Sequence, residues 1–150
     1  IADARVSLAS AIGVPVHALT GLVLDYAALA DFRHALREFQ AFSERHAAEF
    51  GLTPQQHQAL LAIRGAPAGA ASIGHIADRL IVKPHSASGL VARLEALDLV
   101  ARHASPEDGR QAILRLTAKS RKLLSALSSA HREEVVRLRP LLKNLLDRFS

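Results

Sequence analysis

Two short apolar patterns separated by a tight turn constrain this chain more than any other feature of its sequence. The first follows Ser72, a predicted helix N-cap, and the second begins near Pro84, after a turn at 81–84. The apolar positions, all at helical spacing, are Ile73, Ile76, Ala77 and Leu80 in the first and Ala87, Leu90, Val91, Leu94 and Leu97 in the second. Two short helices joined in this way are typical of a helix-turn-helix, although a generic corner between two helices has the same pattern.

Small and polar residues occupy the outward side of the second helix near its start. They are His85, Ser86 and Ser88, with Lys83 just before them. A helix that enters the major groove of DNA needs small side chains there, because bulky ones would hold it away from the base edges. His85, Ser86 and Ser88 are therefore candidates for base contacts, with capping of the helix as the alternative for each.

A β-hairpin with a charged tip is predicted after this helix. Apolar and polar residues alternate over 99–103 and 111–116, and the connection between them is too short for a parallel crossover. Asp98 is expected to end the helix in a left-handed conformation, and Ser105-Pro106 suits a type I turn. The hairpin supplies the wing of a winged helix-turn-helix.

Three more helices are predicted, two before this unit and one after it. An apolar stripe covers 27–50, and Thr53-Pro54-Gln55-Gln56 combines an N-cap, a helix-starting proline and a capping box for a helix that ends at Gly65. Thr117 is the expected N-cap of a second long helix, which Pro140 is expected to interrupt. The predicted fold class is mainly α (α+β), a winged helix-turn-helix with long helices at both ends.

Composition and charge limit the function classes. Hydrophobic residues make up 49% of the chain and aromatic ones only 4%, a Leu- and Ala-rich balance that favours helices. Without cysteine the chain has no disulfide, thiolate metal site or thiol nucleophile, which suits the cytoplasm. The apolar stretch within 1–24 is broken by Pro15 and Gly21, so neither a signal peptide nor a membrane span is expected.

The net charge of +5 is concentrated in one part of the chain. Residues 72–124 carry nine Lys or Arg against five Asp or Glu, the largest excess in the chain. Such focusing suits a polyanionic partner, with an ordinary basic surface as the alternative.

The spacing of the candidate residues along the chain gives little support to a catalytic site or a metal site. Ser86, His85 and Asp78 supply the residue types of a catalytic triad, but neighbouring residues on a helix point about 100° apart. No Gly-rich phosphate loop is present, and none of the eight histidines lies two to four residues from another. We therefore expect no enzyme and no cofactor, while a metal site assembled across several elements stays an alternative.

Six stretches occur in a characteristic order along the chain: LTPQQHQALL at 52–61, IADRL at 76–80, HSASGLV at 85–91, RLEALDLV at 93–100, PEDGR at 106–110 and LT at 116–117. With these stretches, residues 29–125 resemble the multiple antibiotic resistance regulator (MarR) family of dimeric bacterial transcription factors. Asp98 and Ser120 stand where this family often has glycine.

The resemblance implies a symmetric homodimer on double-stranded DNA. Residues 1–50 and 118–150 would form the helical dimerisation region, with 1–20 left as an arm of unassigned role, and 51–117 the DNA-binding lobe. Two-fold symmetry would place the helix 84–97 in successive major grooves of a pseudo-palindrome whose half-sites lie about 10 base pairs apart. No membrane partner is expected.

The predicted DNA contacts divide by chemistry. Arg110, at the hairpin tip, is the candidate for the minor groove, with a solvated tip as the alternative. Asp108 is expected to orient Arg110 through a charge-assisted hydrogen bond, since a carboxylate does not suit a phosphate. The candidates for phosphate contacts are Lys83, Arg79, Arg93 and Arg102.

The resemblance also implies a small-molecule effector, such as an aromatic acid, bound between the dimerisation helices and the DNA-binding lobe. The pocket candidates are Phe32, His34, Phe39, His57 and Arg64, with core packing or exposed surface as the alternative. The function expected from sequence is a ligand-responsive transcriptional regulator, a repressor. The alternatives are a metal-responsive regulator of the same fold and a winged-helix protein–protein interaction module without DNA binding.

Overall fold

The computed structural model describes residues 26–105 and 107–148, which form five helices and one two-stranded antiparallel sheet. This order confirms the predicted winged helix-turn-helix. The predictions for 1–25 and for Pro106 lie outside the described residues. The elements are α1 (Tyr26–Glu49), α2 (Pro54–Gly65), α3 (Ile73–Leu80), α4 (Pro84–Ala96), β1 (Val100–Ala104), β2 (Ala112–Leu116) and α5 (Ala118–Arg148).

Side-chain caps start the helices where the sequence predicts them. The Thr53 hydroxyl accepts the Gln56 backbone N–H at 3.2 Å, and the Gln56 side chain accepts the Thr53 N–H at 3.0 Å, which completes the capping box. Ser72 and Thr117 each accept the backbone N–H three residues further along, at 3.1 and 3.2 Å. Local hydrogen bonding thus defines the starts of α2, α3 and α5.

The turn from α4 into the hairpin uses a left-handed residue, as predicted. Asp98 has φ 56°, and the Leu99 N–H reaches back to the Leu94 carbonyl at 2.9 Å. The Thr117 hydroxyl donates to the Asp98 carbonyl at 2.8 Å, which ties the turn to the start of α5. The strands pair in a register that runs from Val100 opposite Leu116 to Ala104 opposite Ala112.

Pro140 lies inside α5 and does not end it, so the predicted interruption is wrong. Proline has a φ near the helical value, and its cost of about 3 kcal/mol comes from one missing hydrogen bond and a steric clash. A helix that runs from Ala118 to Arg148 has enough further hydrogen bonds on both sides to continue. No helix in the described part of the chain is both long and apolar enough to cross a membrane.

The described residues pack as two compact units. Residues 37–137 form one of them, while 26–36 and 138–148 belong to the other. The core of the 37–137 unit joins α2, α3, α4, both strands and the first half of α5. Its largest fully buried apolar side chains are Leu60, Ile76, Val91, Leu94, Leu114 and Leu127. This core holds α4 and the hairpin on one rigid platform.

Candidate nucleic-acid interface

Burial of one face of α4 determines which of its side chains face solvent. Ala87, Leu90, Val91 and Leu94 are at most 3% exposed, and the opposite side carries the predicted contact residues. Lys83, His85, Ser86 and Arg93 are exposed and Ser88 is half-buried. A short helix with a buried apolar stripe and small polar residues outward has the shape that a major groove admits.

The start of α4 is free of side-chain caps. Lys83 is the N-cap residue, but its side chain makes no capping hydrogen bond, and Pro84 occupies the first helical turn. Within the described residues, the side chains of His85, Ser86 and Ser88 make no hydrogen bond either. The capping alternative for these three residues therefore has no support in the structure.

Between α3 and α4 lies a strained residue that the sequence analysis did not single out. Ile81 ends α3 with φ 55°, a left-handed conformation that β-branched residues rarely adopt, and its side chain is 91% exposed. The Val82 N–H hydrogen-bonds the Ala77 carbonyl at 3.0 Å across this turn. Backbone hydrogen bonds therefore hold the turn in this shape, although an isoleucine disfavours a positive φ.

The wing tip is ordered by its own hydrogen bonds. The Ser105 hydroxyl accepts the N–H groups of Glu107 and Asp108 at 3.3 and 3.2 Å. The Asp108 carboxylate then accepts the backbone N–H of Arg110 at 3.0 Å. The expected bond to the Arg110 side chain is thus replaced by one to its backbone, because a carboxylate two residues earlier in the chain reaches that N–H directly.

The phosphate candidates fall into two groups. Arg79, Lys83 and Arg93 are exposed and form no ion pair within the described residues. Arg102 differs, because its Nε donates to Glu95 Oε2 at 2.9 Å and so joins β1 to α4. A phosphate would have to compete with Glu95 for Arg102.

Two of the pocket candidates, Phe39 and His57, meet in a cluster of histidine and phenylalanine rings. The ring centroid of His131, on α5, lies 4.9 Å from that of His57 and 6.2 Å from that of Phe39. His46 on α1 lies 5.8 Å from His131, and Phe42 contacts both. Sequence reasoning missed His46 and His131 as partners of His57, because the three residues come from three different helices.

Hydrogen bonds orient two of the histidine rings in this cluster. Nδ1 of His131 donates to the Leu127 carbonyl at 2.8 Å, and its Nε2 lies 2.8 Å from the Ser43 hydroxyl oxygen, within hydrogen-bond distance. Nδ1 of His46 lies 2.9 Å from the Glu49 carboxylate, while its Nε2 is buried and has no hydrogen-bond partner in the described residues.

His57 is the most strongly perturbed titratable group that the structure describes. It is 2% exposed, and burial lowers its pKa from 6.5 to about 4, with His131 and His46 adding to the effect. His57 is therefore neutral at pH 7. No group of three metal-binding side chains in the described part of the chain is arranged to hold a metal ion.

The remaining pocket candidates lie elsewhere. Phe32 and His34 belong to the described unit formed by 26–36 and 138–148, and the cluster belongs to the 37–137 unit. Arg64, in the last turn of α2, is exposed and lines a separate groove.

A buried helical core that presents α4 and a basic hairpin tip on its surface defines a winged helix-turn-helix domain. Residues 50–111 match the model of the MarR family, so the family resemblance seen in the motifs is confirmed. The matched segment runs from the end of α1 to the wing tip and contains α2, α3, α4 and β1.

Solved structures share this fold. The Staphylococcus aureus regulator of the multidrug efflux pump MepA, MepR, is 21% identical over 85% of this chain and 100% of its own, with a TM-score of 0.66. A MepR–DNA complex is 24% identical over 78% of this chain and 84% of its own, with a TM-score of 0.63. BpsR of Bordetella bronchiseptica, whose DNA binding is regulated by 6-hydroxynicotinic acid, is 23% identical over 77% of this chain and 90% of its own, with a TM-score of 0.53. A search of curated proteins gives no significant match.

Proposed function

We propose that this protein is a ligand-responsive transcriptional repressor that binds a pseudo-palindromic duplex DNA operator as a homodimer. The observation that carries the proposal is the shared platform of α4 and the wing. Burial of the apolar stripe of α4 turns Lys83, His85 and Ser86 outward, and the same unit carries the exposed Arg110 at its hairpin tip.

The chemistry of these side chains suits two different parts of a duplex. Small polar residues at the start of α4 suit the base edges of the major groove, and a lone arginine suits the narrower minor groove. Arg79, Lys83 and Arg93 are exposed and without acidic partners in the described residues, so they are free to neutralise phosphates. The DNA-bound structure of MepR, which has the same fold, supports this use of the domain.

Apolar surface on both long helices supports the homodimer. On α1, Tyr26 is 76%, Leu29 38% and Leu36 42% exposed. On α5, Val135 and Val136 are each 51% and Leu142 is 40% exposed. Large apolar side chains left in water on two long helices are more easily explained by a second copy of the chain than by a free surface.

The ring cluster around His57 supports response to a small molecule. Phe39, Phe42 and His131 supply flat faces around a neutral imidazole, which suits a small aromatic effector. An effector relieves repression only if it binds more tightly to a state of the dimer that fits the operator less well. Regulation of the DNA binding of BpsR by 6-hydroxynicotinic acid, in a protein of the same fold, supports such a response.

The experiment that tests the proposal is fluorescence anisotropy with the DNA upstream of the protein's own gene, over a series of salt concentrations. The affinity should fall steeply with salt, and Lys83→Ala should lower the slope by about 1, because one phosphate contact is lost. Arg110→Ala should weaken binding about tenfold or more.

Two controls accompany these variants. Arg45→Ala removes an exposed arginine of α1, far along the chain from the wing, and should leave the affinity unchanged. A duplex that contains a single half-site should bind much more weakly than the full palindrome. Binding that is insensitive to salt, or unchanged in both the Lys83 and Arg110 variants, would exclude the proposed DNA contacts.

A further inference from the structure

A groove on the 37–137 unit, separate from the ring cluster around His57, combines positive charge with an apolar lining. It lies between the end of α2, the segment 66–71, strand β2 and the start of α5, and has a volume of about 360 Å³. Pockets that bind small molecules have volumes of about 300–1,000 Å³. The groove is therefore large enough for a small organic ligand.

Three arginines and no acidic residue line this groove. Arg64 comes from the last turn of α2, Arg115 from β2 and Arg121 from the first turn of α5. Nη1 of Arg121 donates to the Leu116 carbonyl at 2.8 Å, which holds this guanidinium at the wall. The side chains of Arg64 and Arg115 make no hydrogen bond or ion pair within the described residues, so their guanidinium donors are available to a ligand.

The rest of the lining is apolar and well packed. Ile63 and Ile113 are 6% and 8% exposed. The Leu114 N–H donates to the Ala71 carbonyl at 2.7 Å and so fixes the segment 66–71 against β2. Gly69 adopts φ 76°, a left-handed conformation that side chains disfavour, and so suits the turn in this segment. The apolar wall is thus held in place by the fold.

We propose that this groove is a binding site for a small amphipathic anion, a carboxylate with a compact apolar body. A guanidinium binds a carboxylate through two parallel hydrogen bonds, and three like charges around one groove favour an anion between them. The apolar wall would cover the body of the ligand, a contact that a DNA phosphate does not need. This inference stands on the groove alone and does not depend on the proposed DNA binding.

The test is isothermal titration calorimetry of the full chain with 2-naphthoate. The control ligand is 2-naphthol, which has the same apolar ring system but no carboxylate. We expect 2-naphthoate to bind and 2-naphthol to bind at least tenfold more weakly. Arg64→Gln and Arg115→Gln should each weaken 2-naphthoate about tenfold, because a charge-assisted hydrogen bond is lost. Neither side chain is hydrogen-bonded in the described structure, so both variants should fold.

Arg45→Gln is the matched control, because Arg45 is exposed and does not line the groove. It should leave the affinity for 2-naphthoate unchanged. Absence of binding, equal binding of 2-naphthol, or full affinity in both groove variants would overturn the proposal. Loss of DNA affinity in the groove variants without any binding of 2-naphthoate would assign these arginines to phosphates and would overturn it as well.

Discussion

Acid should destabilise this protein through His57 well before its carboxylates are protonated. In the unfolded chain the pKa of this histidine is about 6.5, and in the folded state it is about 4. At pH 7 the folded state is neutral and the unfolded state is mostly neutral, so His57 changes the free energy of unfolding only slightly there. As the pH falls below 6.5, the unfolded state takes up a proton that the folded state does not, and the free energy of unfolding decreases until the pH reaches about 4.

The size of this effect follows from the two pKa values. One pKa unit corresponds to about 1.4 kcal/mol, so His57 should lower the free energy of unfolding by about 2 kcal/mol at pH 5 and about 3 kcal/mol at pH 4. Little of this is lost to solvent screening, because the side chain is only 2% exposed. Such a loss is a large part of the ~5–15 kcal/mol that stabilises a typical domain.

The assay is urea unfolding followed by circular dichroism at pH 7 and pH 5, at one protein concentration, for the wild type and for His57→Leu. The variant should lose about 2 kcal/mol less than the wild type between the two pH values, whatever its stability at pH 7. His103→Gln, at an exposed position on β1, should behave as the wild type. If His57→Leu loses as much stability as the wild type between pH 7 and pH 5, the reasoning from burial is wrong.

Two further predictions concern the interface. Asp108→Asn should retain DNA affinity in the anisotropy assay, because an amide oxygen can also accept the Arg110 N–H. Asp108→Ala removes this acceptor and should weaken DNA binding. Equal loss of affinity in both variants would show that the negative charge of Asp108 is itself required. Ile81→Gly should raise the free energy of unfolding by about 1 kcal/mol in urea titrations, because it removes a left-handed β-branched residue that is already in water. Ile81→Ala keeps most of the strain, so a gain as large as that of the glycine variant would contradict this explanation.

The ring cluster and the arginine groove are separate candidate sites joined by one helix. His57 and Arg64 both lie on α2, seven residues apart, which corresponds to about 10 Å of helix rise. An aromatic effector at the first site and an amphipathic anion at the second would therefore contact opposite ends of the same element. The helix-turn-helix and the wing are packed against this element in one core.

The sequence by itself determined the local features of this fold. Thr53, Ser72 and Thr117 cap their helices as predicted, because a hydroxyl reaches an N–H three residues away in any context. The left-handed Asp98 and the hairpin were predictable for the same reason, since turn chemistry and alternation act over a few residues. The contact between the Asp108 carboxylate and the Arg110 backbone N–H is equally local, since the two residues are two positions apart.

Tertiary structure alone decided which distant residues share a site. His46, His57 and His131 come from three helices and meet only because the core packs those helices together, and that burial sets the pKa of His57. The same packing places Arg64 in a groove with Arg115 and Arg121, whereas the sequence alone suggests a common pocket with His57. Spacing along a chain carries no information about contacts between elements, so both sites follow from the way the helices and the sheet pack.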